Sequence, residues 1–244
     1  MRNIKFVISY DGTRYAGWQS QKNALTVQET IERALKNITG RAVRLKGSGR
    51  TDSGVHARYQ VANFHTGSKL PLKQLKDALN SKLPKDILII SAGEAHGAFD
   101  SQRSARSKHY RYTVTTSRFV DPFMRHFVAR FSYPLNINSM RKAAAKLAGR
   151  HDFKAFQASG SDEKDTIRTI KKIRIEKRGE LVYIDVWADG FLYNMVRTIA
   201  GTLLEIGRGK MCASVISDIL RKKSRPLAGP TAPAKGLCLM KVEY

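Results

Sequence analysis

The feature that most limits what this chain can fold into is an order of secondary-structure signals that occurs twice. Residues 4–10 alternate apolar and polar side chains and stop at Asp11-Gly12, the pattern of a strand ending in a turn. Thr26-Val27-Gln28-Glu29 has the spacing of a capping box, and Val27, Ile31, Leu35 and Ile38 follow at helical intervals up to Gly40. Short strand signals at residues 44–46 and 58–65 flank a glycine-rich loop. Residues 71–83 then read as a helix opened by Pro71 and stopped by Pro84, and residues 87–90 as a buried strand. The order is β-α-β-β-α-β. It returns, more loosely, as a strand at 108–115, a helix at 139–147 closed by Gly149, and a hairpin of 167–177 and 181–187 around Arg178-Gly179. A helix at 191–206, a short helix from Ser214 and a last strand at 237–242 complete it. The expected fold is therefore α+β, two tandem ferredoxin-like lobes over residues 1–103 and 104–244. Each has helices on one face of a largely antiparallel sheet, with a cleft between the free faces.

Charge indicates what such a cleft would meet. Lysine and arginine number 44 against 20 acidic residues, a net charge of +24, and the excess lies on both sides of residue 100 rather than in a tail. A folded, basic protein of this kind most often binds nucleic acid, because phosphate neutralisation releases condensed counterions. Two cysteines, Cys212 and Cys238, offer neither zinc nor redox spacing and read as reduced core residues. The start of the chain runs straight into a strand pattern, without the apolar stretch of a signal peptide. The longest apolar region, residues 191–206, is broken by Arg197 and Glu205. A soluble cytoplasmic protein is expected, with no membrane span.

Asp52 is the sharpest candidate for chemistry. It sits in a loop whose Gly47, Gly49 and Gly54 permit close approaches that larger residues block. The same spacing equally suits an Asx-turn, in which the carboxylate bonds its own backbone. Arg50 either binds phosphate or faces solvent. The six histidines are scattered without ligand spacing, so no metal site is expected, and His56 near Asp52 reads as a structural hydrogen-bonding residue. No Walker loop or dinucleotide fingerprint occurs. Arg106-Ser107-Lys108-His109-Tyr110-Arg111-Tyr112 interleaves cations and aromatics on a strand, a composition suited to phosphate contact and base stacking. Alternation puts Tyr110 and Tyr112 on one face, where they either stack a base or belong to the core. In the helix from Phe191, Leu192, Met195, Val196, Ile199 and Leu203 form the apolar face. Asn194, Arg197 and Gly201 lie on a polar or small stripe, with Arg197 toward a cleft or solvent.

Gly49-Arg50-Thr51-Asp52-Ser53-Gly54-Val55-His56-Ala57 resembles the signature of the tRNA pseudouridine synthase A family. The resemblance continues through Tyr10-Asp11-Gly12, Gly17-Trp18-Gln19-Ser20-Gln21, Val27-Gln28 and Tyr110-Arg111-Tyr112. It then takes in residues 149–156, Ala158-Ser159-Gly160-Ser161 and Thr166-Ile167-Arg168-Thr169-Ile170. Phe191-Leu192-Tyr193-Asn194-Met195-Val196-Arg197 and residues 228–237 complete the series. Such membership implies a homodimer that isomerises uridines at positions 38 to 40 of the tRNA anticodon arm without cofactor or metal. It also implies that Asp52 is the catalytic aspartate, Tyr110 the active-site tyrosine on the target base, Arg197 the arginine that pairs with the aspartate, and Arg50 an arginine that helps flip the uridine out. Gln102 stands where the family commonly has an arginine, so Arg103 or Arg106 is expected to take over that RNA contact. The rival readings are an RNA-binding protein without activity, which would leave Asp52 dispensable, and a glycoside hydrolase, which usually needs a second carboxylate.

Overall fold

The computed structural model describes residues 1–160 and 163–244; Ser161 of the Ala158–Ser161 motif lies outside the described residues. The chain forms two compact units, Met1–Arg106 with Leu239–Tyr244, and Ser107–Cys238. The last six residues, which the sequence reading gives to the second lobe, thus fall in unit 1.

In unit 1 the elements follow as β1 (Arg2–Tyr10), α1 (Val27–Thr39), β2 (Lys46–Gly47), β3 (His56–Thr66), α2 (Leu72–Lys82) and β4 (Ile87–Ala95). The strands are ordered β4-β1-β3, with β2 on β3 and the pairs antiparallel, which is the expected ferredoxin-like arrangement. Ile4, Phe6 and Ile8 are fully buried beside Ile31 and Leu35 of α1 and Leu75 and Leu79 of α2. The capping box forms in part: the Thr26 side chain accepts from the Glu29 N–H, and Gly40 closes α1 in the left-handed conformation at φ 71°. The strand expected at 44–46 shrinks to Lys46–Gly47, because the Leu45 N–H turns instead to the Glu32 carboxylate at 2.8 Å.

Unit 2 contains β5 (Ser107–Thr115), β6 (Ala129–Arg130), α3 (Ile137–Ala145), β7 (Gly149–Asp152), β8 (Ile167–Arg178), β9 (Leu181–Ala188), α4 (Met195–Gly207) and α5 (Val215–Lys222), and runs into β10 (Leu237–Glu243). Its sheet is ordered β5-β9-β8-β7, antiparallel except for the short β6 beside β5. Tyr112, Val114, Ile184 and Val186 are buried with Met140 of α3 and Ile199 and Leu203 of α4. Gly149 does not close α3, which ends at Ala145; it opens β7, a strand the sequence reading missed. Nor does α4 begin at Phe191. Asn194 adopts φ 60° and holds the helix start to Met195. Every residue of α4 except Arg197 is buried, so the expected polar stripe is covered rather than solvated. Cys212 is exposed, not a core residue. Among the described residues no helix is long and apolar enough to cross a membrane.

Candidate active site

In unit 1, the loop between β2 and β3 is held on both sides of Asp52 by backbone that lies far away in sequence. The Trp18 N–H donates to the Thr51 carbonyl at 3.1 Å, and the Tyr10 and Thr51 hydroxyls meet at 2.8 Å. Beyond Asp52, the Val55 N–H closes a turn onto the Asp52 carbonyl at 3.1 Å, with Gly54 at φ 76° supplying the conformation that side chains resist. The Gly54 N–H donates to the Tyr15 carbonyl at 3.2 Å. The chain approaches so closely that only glycine fits at residue 17: a Cβ there would lie 2.4 Å from the Thr51 oxygen, and φ is 91°. The Val27 and Gln28 N–H groups at the start of α1 donate to the Gly17 and Trp18 carbonyls, fixing this brace to the helix. His56 is buried and its Nδ1 accepts from the Gly12 N–H at 3.0 Å, the structural role expected of it. Asp52 itself is half-buried. A carboxylate on so constrained a loop needs little reorganisation before reaction.

Arg50 projects from the same loop, exposed and with no hydrogen bond or ion pair among the described residues. Arg103 lies in a turn ahead of β5, not on a strand. The Asp100 carboxylate accepts the Gln102 and Arg103 N–H groups at 2.9 and 3.0 Å, which leaves both side chains exposed. These bonds, that of Arg103 foremost, together with Lys46, hold the Asp100 pKa below its ordinary value despite partial burial. Arg106 is also exposed, and its N–H donates to the Glu243 carbonyl.

In unit 2, Tyr110 lies on the helix-covered face of β5 at 6% exposure, edge-on to Phe191 with ring centres 5.1 Å apart. Tyr112, on the same face, is core: it is fully buried and its hydroxyl donates to the Pro233 carbonyl at 2.9 Å. Arg111 is not an open phosphate ligand. Strand register sets it opposite Asp185, where Nε and Nη2 reach the two carboxylate oxygens at 2.9 and 3.1 Å, and His109 Nε2 joins at 2.6 Å. Burial pushes the Asp185 pKa up, but these hydrogen bonds outweigh it and leave it lowered. The interleaved segment of cations and aromatics is thus largely built into the sheet.

Arg197 is held from two directions. Its Nε donates to the Ala232 carbonyl at 2.8 Å and its Nη1 to the Asn194 side-chain oxygen at 2.5 Å, while the Ala232 N–H returns to the Arg197 carbonyl. Ala232 belongs to a strap, residues 228–236, laid directly on α4. A Cβ on Gly201 would fall 1.8 Å from the Pro230 oxygen, and the Gly229 N–H donates to the Thr202 hydroxyl. The strap also carries Pro233, the acceptor for Tyr112. One segment therefore braces both α4 and β5. Sequence reasoning did not find Trp18, Asn194, Ala232 or Asp185 as supporting residues. Only their place within or near recurring motifs marked the first three, and no signal marked Asp185.

Among the described residues no group of three or more His, Cys, Asp or Glu could hold a metal ion. The family described as tRNA pseudouridine synthase matches residues 6–104 and 143–244, which include Arg50, Asp52, Arg103 and Arg197 but not Arg106 or Tyr110. Relatives named tRNA pseudouridine synthase A, from Thermoanaerobacter sp. (strain X514) and Acetivibrio thermocellus, are 50% and 48% identical over all 244 residues and the full length of both chains. A solved structure titled "Crystal Structure of a Cbf5-Nop10-Gar1 Complex" is similar at a TM-score of 0.41 and 12% identity, over 97% of this chain and 49% of that one. The chain belongs to the tRNA pseudouridine synthase family. It is an isomerase that converts uridine to pseudouridine in tRNA.

Proposed function

We propose that the uridines are those at positions 38, 39 and 40 of the anticodon stem-loop, and that Asp52 is the catalytic carboxylate. The observation that carries the Asp52 assignment is the support of its loop, pinned at Thr51 by Trp18 and Tyr10 and at Gly54 by Tyr15, and the choice of positions follows the family resemblance. The reaction breaks the bond from N1 to C1′, turns the uracil and joins C5 to C1′; C5 loses a proton and N1 gains one. Nothing is oxidised or reduced overall, so no redox partner is required. The target nucleotide must leave the stack to be reached. As the glycosidic bond breaks, C1′ becomes electron-poor, and an ionised Asp52 stabilises it. Arg197 pairs with that carboxylate and favours its charged form, Tyr110 packs against the uracil, and Arg50 assists the flip. Arg103 and Arg106 contact the RNA backbone.

The enzyme is further proposed to act as a homodimer in the cytoplasm; sedimentation at twice the 27.4 kDa of one chain tests the dimer. The catalytic assignment is tested with tRNA carrying tritium at uridine C5, since only formation of the bond from C5 to C1′ releases it. Wild-type protein should release tritium and Asp52→Asn should not, while both retain tRNA affinity. Turnover by Asp52→Asn would exclude the carboxylate.

A further inference from the structure

Unit 2 contains a cavity of about 640 Å³ whose walls include Lys154, Ser159, Gly160, Lys223, Arg225 and Thr231. Three basic residues line it, and among the described residues no carboxylate does. Arg225 is fixed in place: Nη1 donates to the Gly229 carbonyl at 2.9 Å and Nη2 to the Thr231 hydroxyl at 3.1 Å. Lys223 ends α5 with φ 52°, a left-handed conformation that favours glycine. Asp152, bonded to two of the lining residues, divides its two oxygens. Oδ1 accepts from the Lys154 N–H at 3.0 Å and from the Thr166 hydroxyl at 2.6 Å, and Oδ2 meets Lys223 Nζ at 2.8 Å. Thr231 is the chain neighbour of Ala232, whose carbonyl holds Arg197. One wall of the cavity is therefore the strap that anchors the arginine.

From this arrangement we propose that the cavity is a phosphate subsite, in which Lys154, Lys223 and Arg225 grip a phosphodiester of the tRNA backbone close to the nucleotide being isomerised. The inference rests on the role given above to Arg197. An extruded nucleotide leaves its flanking phosphates without the order of the helix, and a pre-fixed guanidinium with two lysines supplies a grip that reads no base. Asp152 keeps Lys223 directed into place until phosphate competes for it.

The test is the dissociation constant of an unmodified tRNA transcript, measured by filter binding against potassium chloride concentration for wild type, Lys223→Gln and Asp152→Asn. Lys223→Gln should weaken binding about tenfold at low salt and reduce the slope of log affinity against log salt by about one. Asp152→Asn keeps the Oδ1 acceptor, removes the negative competitor and should tighten binding several-fold. If Lys223 serves only to tie α5 to Asp152, both variants will lose thermal stability together and shift neither affinity nor slope, which would overturn the proposal. Inorganic phosphate titrated at constant ionic strength separates the two sources of the anion. Competition with tRNA only at tens of millimolar is expected, whereas micromolar competition abolished by Lys223→Gln would show a site for free phosphate and overturn the RNA assignment. These readouts concern binding alone, so they stand or fall apart from the tritium-release result for Asp52.

Discussion

Asn194 shows how a residue outside the proposed catalytic set can hold one that belongs to it. Its left-handed backbone stops α4 one turn ahead of Arg197, and its side-chain oxygen takes the Arg197 Nη1 proton. Asn194→Ala should lower kcat about tenfold, roughly the loss of one charge-assisted hydrogen bond, with a smaller change in KM; single-turnover kinetics checks this. An unchanged kcat would mean that Ala232 alone suffices. Lys108 gives a pH-dependent prediction. Burial, and after it the nearby Arg168, lowers its pKa from 10.5 to about 8. Between about pH 8 and 10.5 the unfolded chain holds a proton that the folded chain has released, so stability rises with pH across that window. Urea unfolding at pH 8 and pH 10 should show this rise, and Lys108→Met should remove it. An equal slope in the variant would contradict the assignment. The glycines around Asp52 were legible in the sequence because they lie beside it. Gly17 and Trp18 were not, since what makes them necessary is an approach of backbone more than thirty residues away in the chain.

At the level of elements, α4 illustrates where periodicity stops being informative. The spacing of Met195, Val196, Ile199 and Leu203 marks the apolar face, and those residues are buried. Periodicity does not say what covers the other face, and here the strap of residues 228–236 does so, in contact with Gly201 and Thr202. Gly201→Ala would drive a methyl group into the Pro230 carbonyl. Because neither helix backbone nor strap can yield cheaply, it should cost about 1–3 kcal/mol and shift Arg197 through Ala232, so melting temperature and kcat fall together. A variant as stable and active as wild type would show that the strap is not a rigid brace. The β-α-β-β-α-β order of the first half, by contrast, was readable, because strand alternation, caps and turn residues are local signals; in the second half the unforeseen β6 and β7 interrupt it. What those signals left out was pairing. Asp185 neutralises Arg111 through strand register alone, and no spacing in either strand foretells it.

For the whole molecule, the net charge of +24 and the exposed Arg50, Arg103 and Arg106 predict a complex held largely by phosphate contacts. If roughly six to ten phosphates are neutralised, affinity should fall about a thousandfold or more between 50 and 200 mM salt. Filter binding over that range checks it, and a salt-insensitive complex would instead indicate direct reading of bases. The central claim is that one carboxylate, Asp52, isomerises uridines of the anticodon arm. Carbodiimide mapping at every uridine of an unmodified tRNA transcript, after incubation with wild type or Asp52→Asn, tests it most directly. The account predicts stops at positions 38 to 40 with wild-type protein and none with the variant. Stops elsewhere in the tRNA, or the same stops with Asp52→Asn, would contradict it.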